Sequence, residues 1–265
     1  MIHTRGFVVK VVPPRYSIKL ELEDAVSKWR AFTVLSHDQK ICYALPGFEK
    51  DWADPGYFKK SEHDRKELFH HIPNIALLYD MEGIHNLCEE FAGFLKAAYK
   101  LSRAVKTYLL SNHFYEGLLP PHLRVDDLRD AIERSSRLFT LRFLNYAAGN
   151  VESKLAQDHV DKAGVSISLY SSHSGFQFDA NYSGGPRNGR ERNWESLDVS
   201  YPNVVVFGGY QLHKWSMNSI WPLVHQVLAT TEEERQAVVA FVPLFGVDRR
   251  KKEERMQDLM DQFGY

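Results

Sequence analysis

Cysteine is scarce in this sequence, with two residues in a chain of 265. Cys42 and Cys88 are too few for a disulfide framework or for a site built from several thiolates. Their scarcity therefore excludes the small disulfide-stapled folds and the metal sites built from thiolates. We interpret both residues as buried thiols in a reducing compartment.

Long apolar runs and an excess of charge are also missing. No stretch approaches the length of a membrane span, and residues 1–5 lack the apolar core of a signal peptide. The formal net charge is −1, so no overall field attracts nucleic acid or acidic lipid. We expect a cytoplasmic protein, monomer or homodimer, whose partner is a small-molecule substrate, with no nucleic acid and no membrane.

Apolar and aromatic residues are plentiful, at 44% and 13% of the chain. This is enough for one sizeable core, so we expect a single domain over residues 1–265. Its expected parts are a helix-rich N-terminal part (1–134), a β core (135–247) and a C-terminal helical tail (248–265).

Helical periodicity dominates the N-terminal part. Apolar residues recur at helical spacing over 20–35, 83–110 and 126–134, which predicts three helices. A short β-branched run over 5–12, closed by two prolines, predicts an early strand.

Short runs rich in β-branched and aromatic residues follow Ser135, separated by Gly, Asn, Pro and Ser. Helices followed by a succession of strands predict helices packed on one side of a β-sandwich or barrel. The predicted strands are 138–146, 165–170, 176–178, 204–207, 224–228 and 236–242.

His159 and Asp161 are the first residues with candidate chemistry. Side chains at i and i+2 of an extended segment point to the same side, so these two can bind one ion. Iron(II) accepts an imidazole nitrogen beside a carboxylate oxygen. A second histidine would complete a face that leaves positions open for co-substrate and oxygen. Alone, this spacing has a high false-positive risk.

His225 and Arg235 are polar residues in apolar strands. His225 lies where a side chain would face a cavity, although a satisfied core histidine also explains it. Arg235 opens a strand, and a buried cation needs an anionic partner, for which a dicarboxylic acid is suited. The competing interpretation is a surface arginine paired with Glu232 or Glu233.

Four aromatic residues are weaker candidates. Tyr146 ends a strand and can donate a hydrogen bond to the same carboxylate as Arg235. Phe176, Phe178 and Trp215 can shape a substrate pocket. Core packing is the simpler explanation of Tyr146 taken alone, and it explains most of the pocket candidates equally well.

The sequence resembles the isopenicillin N synthase-like branch of the iron(II)/2-oxoglutarate dioxygenases. That family has His-x-Asp, then His after some fifty to seventy residues, then Arg about ten residues later. His159, Asp161, His225 and Arg235 match this pattern. Further similar segments are 64–69, 175–178, 204–209 and 215–218.

The resemblance implies a mostly β fold with flanking helices, whose core is a distorted double-stranded β-helix (jelly-roll, cupin-like). It implies that His159, Asp161 and His225 bind Fe(II) and that Arg235 and Tyr146 bind 2-oxoglutarate. O2 is the second co-substrate, and ascorbate is a supporting reductant. The implied reaction is hydroxylation, desaturation or cyclisation of a small molecule of secondary metabolism, coupled to decarboxylation of 2-oxoglutarate to succinate.

The sequence departs from the family pattern at two positions near the predicted co-substrate. Ala237 stands where the family's Arg-x-Ser has serine, and Leu144 stands where its Asn-x-Tyr has asparagine. These departures keep two alternatives open. One is an iron-dependent oxidase that does not use 2-oxoglutarate, and the other is a non-catalytic relative that binds a ligand in the same cavity.

Overall fold

The structure is a computed structural model that describes residues 2, 6–45, 55–59, 64–136, 138–181, 191–199, 201–244 and 246–247. The predicted C-terminal tail, 248–265, lies outside these residues. None of the described helices is long and apolar enough to cross a membrane.

Strands make up most of the regular structure after residue 139. Within the described residues there are eleven: β1 Phe7–Val11, β2 Gly56–Lys59, β3 Lys66–His71, β4 Thr140–Tyr146, β5 Lys154–His159, β6 Val165–Ser171, β7 Phe176–Asp179, β8 Trp194–Ser196, β9 Asn203–Gly208, β10 His225–Leu228 and β11 Arg235–Val242.

The strands form two antiparallel sheets. The larger sheet has the order β1-β9-β6-β11-β4-β3-β2, and the smaller sheet has the order β5-β10-β7-β8. Rings from both sheets pack together between them, as shown by Phe7 of β1 and Phe178 of β7, whose centroids lie 4.7 Å apart. Non-consecutive neighbours in both sheets are typical of a jelly-roll, so the predicted double-stranded β-helix core is confirmed.

Helices cover the outer face of the larger sheet. They are α1 Ile18–Thr33, α2 His37–Ile41, α3 Ile75–Met81, α4 Glu89–Leu109, α5 Asn112–Tyr115, α6 Val125–Arg134 and α7 Tyr210–Trp215. The longest, α1 and α4, pack on each other and on the sheet through Trp29, Phe94 and Phe143, which are fully buried. The predicted layer of helices on one side of the strands is therefore confirmed.

Helix α4 begins later than its periodicity predicts. The predicted helix covers 83–110, whereas the observed helix starts at Glu89. Gly83 adopts a φ of +72°, which ends the preceding helix. Cys88 is extended at the N-cap, and Glu89 and Glu90 occupy the first turn, where the helix dipole favours acidic side chains.

The N-terminal part is less purely helical than expected. Three of its segments are strands of the larger sheet: β1 pairs with β9, β3 pairs with β4, and β2 pairs with β3. Only β1 was predicted. The sequences of β2 (GYFK) and β3 (KELFHH) are short and partly charged, so neither gives the apolar alternation by which a strand is recognised.

The expectation of two buried thiols is wrong. Cys42 is exposed, and Cys88 is only half-buried. Both lie at helix ends, Cys42 after α2 and Cys88 before α4, where the chain runs near the surface.

A buried ion pair joins the helical layer to the larger sheet. Lys40 of α2 and Glu67 of β3 lie 2.7 Å apart, with 4% and 5% of their surfaces exposed. The Glu67 carboxylate also accepts hydrogen bonds from the hydroxyl of Tyr57 at 2.8 Å and from the amide of Asn145 at 3.0 Å. Lys40 donates to the carbonyl of Thr33 at 2.7 Å. Every partner is itself buried, so removing Lys40 or Glu67 leaves the other charge without compensation.

We expect Glu67→Gln to lower the free energy of unfolding by about 3–5 kcal/mol, because the Lys40 ammonium would be left buried and unpaired. Urea denaturation followed by circular dichroism measures this change. Lys19→Gln is the control: Lys19 pairs with Glu23 at 3.9 Å on the exposed face of α1, and about 0.5 kcal/mol or less is expected. Equal losses in the two variants would contradict the assigned role of the buried pair.

Candidate active site

Three side chains that can bind a metal ion lie close together in the smaller sheet, at the end of β5 and the start of β10. β5 ends at His159, Asp161 follows two residues later, and His225 begins β10 directly opposite His159. The ligand atoms of the three residues all lie within 4.8 Å of one another. Oδ1 of Asp161 is 3.6 Å from Nε2 of His159 and 3.9 Å from Nε2 of His225.

Backbone carbonyls determine which nitrogen of each histidine is available. Nδ1 of His159 lies 2.7 Å from the carbonyl oxygen of Gln157, and Nδ1 of His225 lies 3.1 Å from that of Leu223. A carbonyl can only accept a hydrogen bond, so both Nδ1 atoms carry the proton. Each Nε2 then presents its lone pair toward the carboxylate of Asp161, in the tautomer that metal binding requires.

The carboxylate of Asp161 is held by the strand behind it. Ser166 of β6 donates its hydroxyl to Oδ2 at 2.5 Å, which leaves Oδ1 facing the histidines. The backbone N–H of Tyr210 donates to the carbonyl of Asp161 at 2.7 Å. A Cβ at Gly209 would lie 2.7 Å from that same carbonyl oxygen, so only glycine allows α7 to begin so close to this loop.

Desolvation of the half-buried imidazole keeps His159 neutral. Desolvation, followed by the neighbouring His225, lowers the pKa of His159 to about 4, although Asp161 acts in the opposite direction. A neutral imidazole is the form that binds a metal ion. His159 therefore needs no deprotonation at neutral pH before it can act as a ligand.

Aromatic rings hold the imidazole of His225 from behind. Phe176 stacks on it with the centroids 5.2 Å apart, and Phe207 meets it edge-on at 5.0 Å. Phe178 is the direct cross-strand neighbour of His225, and its ring packs on Phe7. Phe176 and Phe178, predicted to shape a substrate pocket, thus lie beside a candidate ligand and support it.

Trp215 lies elsewhere. It ends α7 and is half-buried against the large core on the helix side of the sheet. Among the described residues, Trp215 neither packs on His225 nor lines the cavity next to His159 and Asp161. Its place in a substrate pocket therefore stays a prediction.

Arg235 and Tyr146 are opposite each other on β11 and β4. The guanidinium lies 5.7 Å from the centre of the tyrosine ring, and 6% of Arg235 is exposed. Its Nε has no hydrogen-bond partner among the described residues, and burial lowers its pKa. The competing pairing of Arg235 with Glu232 or Glu233 is not observed among the described residues. Glu233 is exposed and pairs instead with His173 at 3.4 Å.

The two departures from the family pattern are neighbours in the structure. Ala237 and Leu144 form the next inward-facing cross-strand pair after Arg235 and Tyr146 and lie in one apolar cluster. Because Leu144 and Ala237 are both apolar, neither position holds a buried polar group that lacks a hydrogen-bond partner.

A cavity of about 600 Å³ lies between the triad and the larger sheet. His159 and Asp161 line one side of it, and Lys66, His70 and Arg142 line the other. These last three residues lie on β3 and β4 and share the inner face of the sheet with Tyr146. The site therefore combines a candidate metal centre with a basic wall, formed by Lys66, His70 and Arg142.

Solved structures with the same architecture come from several organisms. A full-length Neurospora crassa protein, determined in complex with alpha-KG, matches with a TM-score of 0.68 at 16% identity over 92% of this chain and 77% of that one. An Arabidopsis thaliana dioxygenase for auxin oxidation, determined with 2-oxoglutarate, matches with 0.64 at 14% identity, over 94% and 87%. A Shewanella oneidensis protein provisionally assigned as an oxygenase matches with 0.66 at 17%, over 98% and 91%.

The chain has the fold of the 2-oxoglutarate oxygenases. No family model matches the sequence, and no curated protein does. At identities below 20%, this chain and the three solved structures share the course of the backbone.

Several residues around the site were missed by the sequence interpretation. Ser166 gives no local signal, because its contact with Asp161 is made across a turn. The basic wall did have a signal: if Tyr146 faces inward on β4, then Arg142, four residues earlier, also faces inward. Lys66 and His70 follow from Arg142 only once β3 is known to pair with β4.

Ser166→Ala is expected to weaken metal binding by about 10- to 100-fold, because the carboxylate of Asp161 would lose the donor that orients it. Anaerobic titration with iron(II) measures the affinity. Ser168→Ala is the matched control, since Ser168 lies two residues further along β6, is also buried, and makes no described contact with Asp161. An equal effect of the two substitutions would contradict the role given to Ser166.

Proposed function

We propose that this protein is a non-haem iron(II), 2-oxoglutarate-dependent oxygenase that oxidises a small molecule. The observation that carries the proposal is the convergence of two Nε2 atoms and one carboxylate oxygen at a single point inside this fold. Two histidines and one carboxylate on one face, with the other positions open, are typical of iron(II) oxygenases. His159, Asp161 and His225 would hold the metal.

Arg235 and Tyr146 suit the co-substrate. A buried guanidinium with an unsatisfied Nε is costly unless an anion completes its hydrogen bonds. A carboxylate matches the planar guanidinium in a bidentate arrangement, and the Tyr146 hydroxyl can donate to the same group. The Neurospora protein and the Arabidopsis dioxygenase, which share the fold, were determined with alpha-KG and 2-oxoglutarate.

Leu144 and Ala237 lie next to Arg235 and Tyr146 on the same two strands, and the pair is buried and apolar. Arg235 and Tyr146 therefore keep an anion site whose next neighbours exclude water.

O2 is the oxidant for the hydroxylation, desaturation or cyclisation, and iron(II) and 2-oxoglutarate, when bound, would supply its activation. The chain itself orients the groups around the reaction. Gln157 and Leu223 keep the histidine tautomers, Ser166 orients the carboxylate, and Phe176 packs behind His225. The cavity next to His159 and Asp161 provides the space for the substrate.

Arg235→Ala is expected to weaken binding of 2-oxoglutarate by about 100-fold, the loss associated with removing one partner of a buried charge pair. Anaerobic titration of the iron-loaded protein with 2-oxoglutarate, followed through the weak visible charge-transfer band, measures it. Arg134→Ala is the control, because Arg134 is exposed on α6. Unchanged 2-oxoglutarate affinity in Arg235→Ala would contradict the co-substrate site.

His225→Ala is expected to lose iron and, with it, all formation of succinate from 2-oxoglutarate. Metal analysis and succinate measurement test this, with His85→Ala, on the exposed surface, as the control. Retained turnover in His225→Ala would refute the metal centre. Oxygen consumption by the wild-type protein that ignores added 2-oxoglutarate would favour the oxidase alternative.

A further inference from the structure

Leu155 lies between the candidate metal centre and the proposed co-substrate anchor. Two cavities meet at its side chain. One is the cavity of about 600 Å³ that His159 and Asp161 line, and the other is a small pocket that Tyr146 and Arg235 line. Among the described residues that line these two cavities, Leu155 is the one that they have in common. A molecule that reaches from the candidate triad to Arg235 must therefore pass Leu155.

A β-bulge removes Leu155 from the regular pairing of β5. Val227 of β10 lies opposite Ala156. The next residue of β10, Leu228, lies opposite Lys154. Leu155 is therefore an extra residue of β5 between two paired ones. A bulge turns a side chain out of the strict alternation of its strand, and bulges are common next to active sites. The backbone of β5 thus determines where Leu155 points.

The passage between the two cavities is apolar on both sides. Leu155 packs against the buried cluster of the larger sheet that contains Leu144, Tyr146 and Ala237. It also packs against the cluster between the two sheets that includes Phe176. The middle of 2-oxoglutarate consists of methylene groups, which suit an apolar passage, whereas both of its ends are polar.

The pocket beside Arg235 has little spare room. Its volume is about 10 Å³, which is enough for about one water molecule. A carboxylate bound to Arg235 would fill it and leave no space for a further methylene group. Any additional length in the co-substrate must therefore be accommodated along the passage, where the side chain of Leu155 lies.

We propose that Leu155 sets the length of the 2-oxo dicarboxylic acid that this protein accepts. Its side chain packs on the methylene groups of 2-oxoglutarate and excludes 2-oxoadipate, which is one methylene longer. The inference rests on the proposed function, since it names the residue that selects the co-substrate of the same site. Leu155 binds neither the metal nor a carboxylate, and it acts through its size and position.

The test is an anaerobic titration of the iron-loaded protein with each acid, followed through the charge-transfer band of the chelate. We expect the wild-type protein to bind 2-oxoglutarate tenfold or more tightly than 2-oxoadipate, because one extra methylene in a fitted pocket costs about 10- to 200-fold. Leu155→Ala is expected to reduce this preference to threefold or less. A wild-type preference below tenfold, or a preference in Leu155→Ala that stays above threefold, would overturn the proposal.

Leu123→Ala is the matched control. Leu123 is half-buried, like Leu155, but it packs on the large core on the helix side and lines neither cavity. We expect Leu123→Ala to keep the wild-type preference, and an equal relaxation in both variants would contradict the role of Leu155.

Two further measurements separate a selective effect from a loosened site. Thermal unfolding and the affinity for iron(II) are measured for each variant, and we expect Leu155→Ala to bind iron(II) within threefold of the wild-type affinity. A relaxed preference accompanied by a tenfold loss of iron affinity would overturn the proposal. If Leu155→Ala does not fold, Leu155→Val repeats the test, and its preference for 2-oxoglutarate is expected to fall by threefold or more.

The same titrations distinguish this inference from the proposed function. If the wild-type protein binds 2-oxoglutarate and its preference does not depend on Leu155, the inference fails and the oxygenase proposal stands. If the wild-type protein forms no chelate with 2-oxoglutarate, the proposed function fails, and the inference fails with it.

Discussion

The pairing of β4 with β3 on one side and β11 on the other is the contact on which the site depends. Because side chains alternate across a sheet, this three-strand unit gives every second residue to the helical layer and the others to the cavity. Glu67 and Asn145 face the helices, and Lys66, Tyr146 and Arg235 face inward. A register slip of one residue would exchange the two sets and remove both the core and the site.

The two faces treat buried charge differently. Toward the helices, the Glu67 carboxylate is paired with the Lys40 ammonium and accepts hydrogen bonds from a tyrosine and an asparagine. Toward the cavity, Arg235 is buried with its Nε unsatisfied among the described residues. The charges of Lys40 and Glu67 compensate each other inside the protein, whereas the charge of the buried Arg235 guanidinium would be compensated by a bound anion.

The candidate metal centre is held mainly by backbone. Carbonyls two residues before each histidine determine the tautomers, and a backbone N–H holds the loop that carries Asp161. Such contacts depend on the course of the chain more than on side-chain identity.

The sequence alone determined the β-rich core, because apolar alternation is a local signal. Both ends of each of the six predicted strands lie within two residues of the ends of the observed strands β4, β6, β7, β9, β10 and β11. It also predicted the candidate triad and Arg235, because their combined spacing matches the pattern of the family that the sequence resembles. Tertiary structure alone decided that β2 and β3 extend the sheet, that Lys40 meets Glu67, that Ser166 orients Asp161, and that His70 lies beside Arg142. Those contacts join segments far apart in the chain or across a turn, and their partners are chosen by packing and strand register, which leave no periodic trace in the sequence.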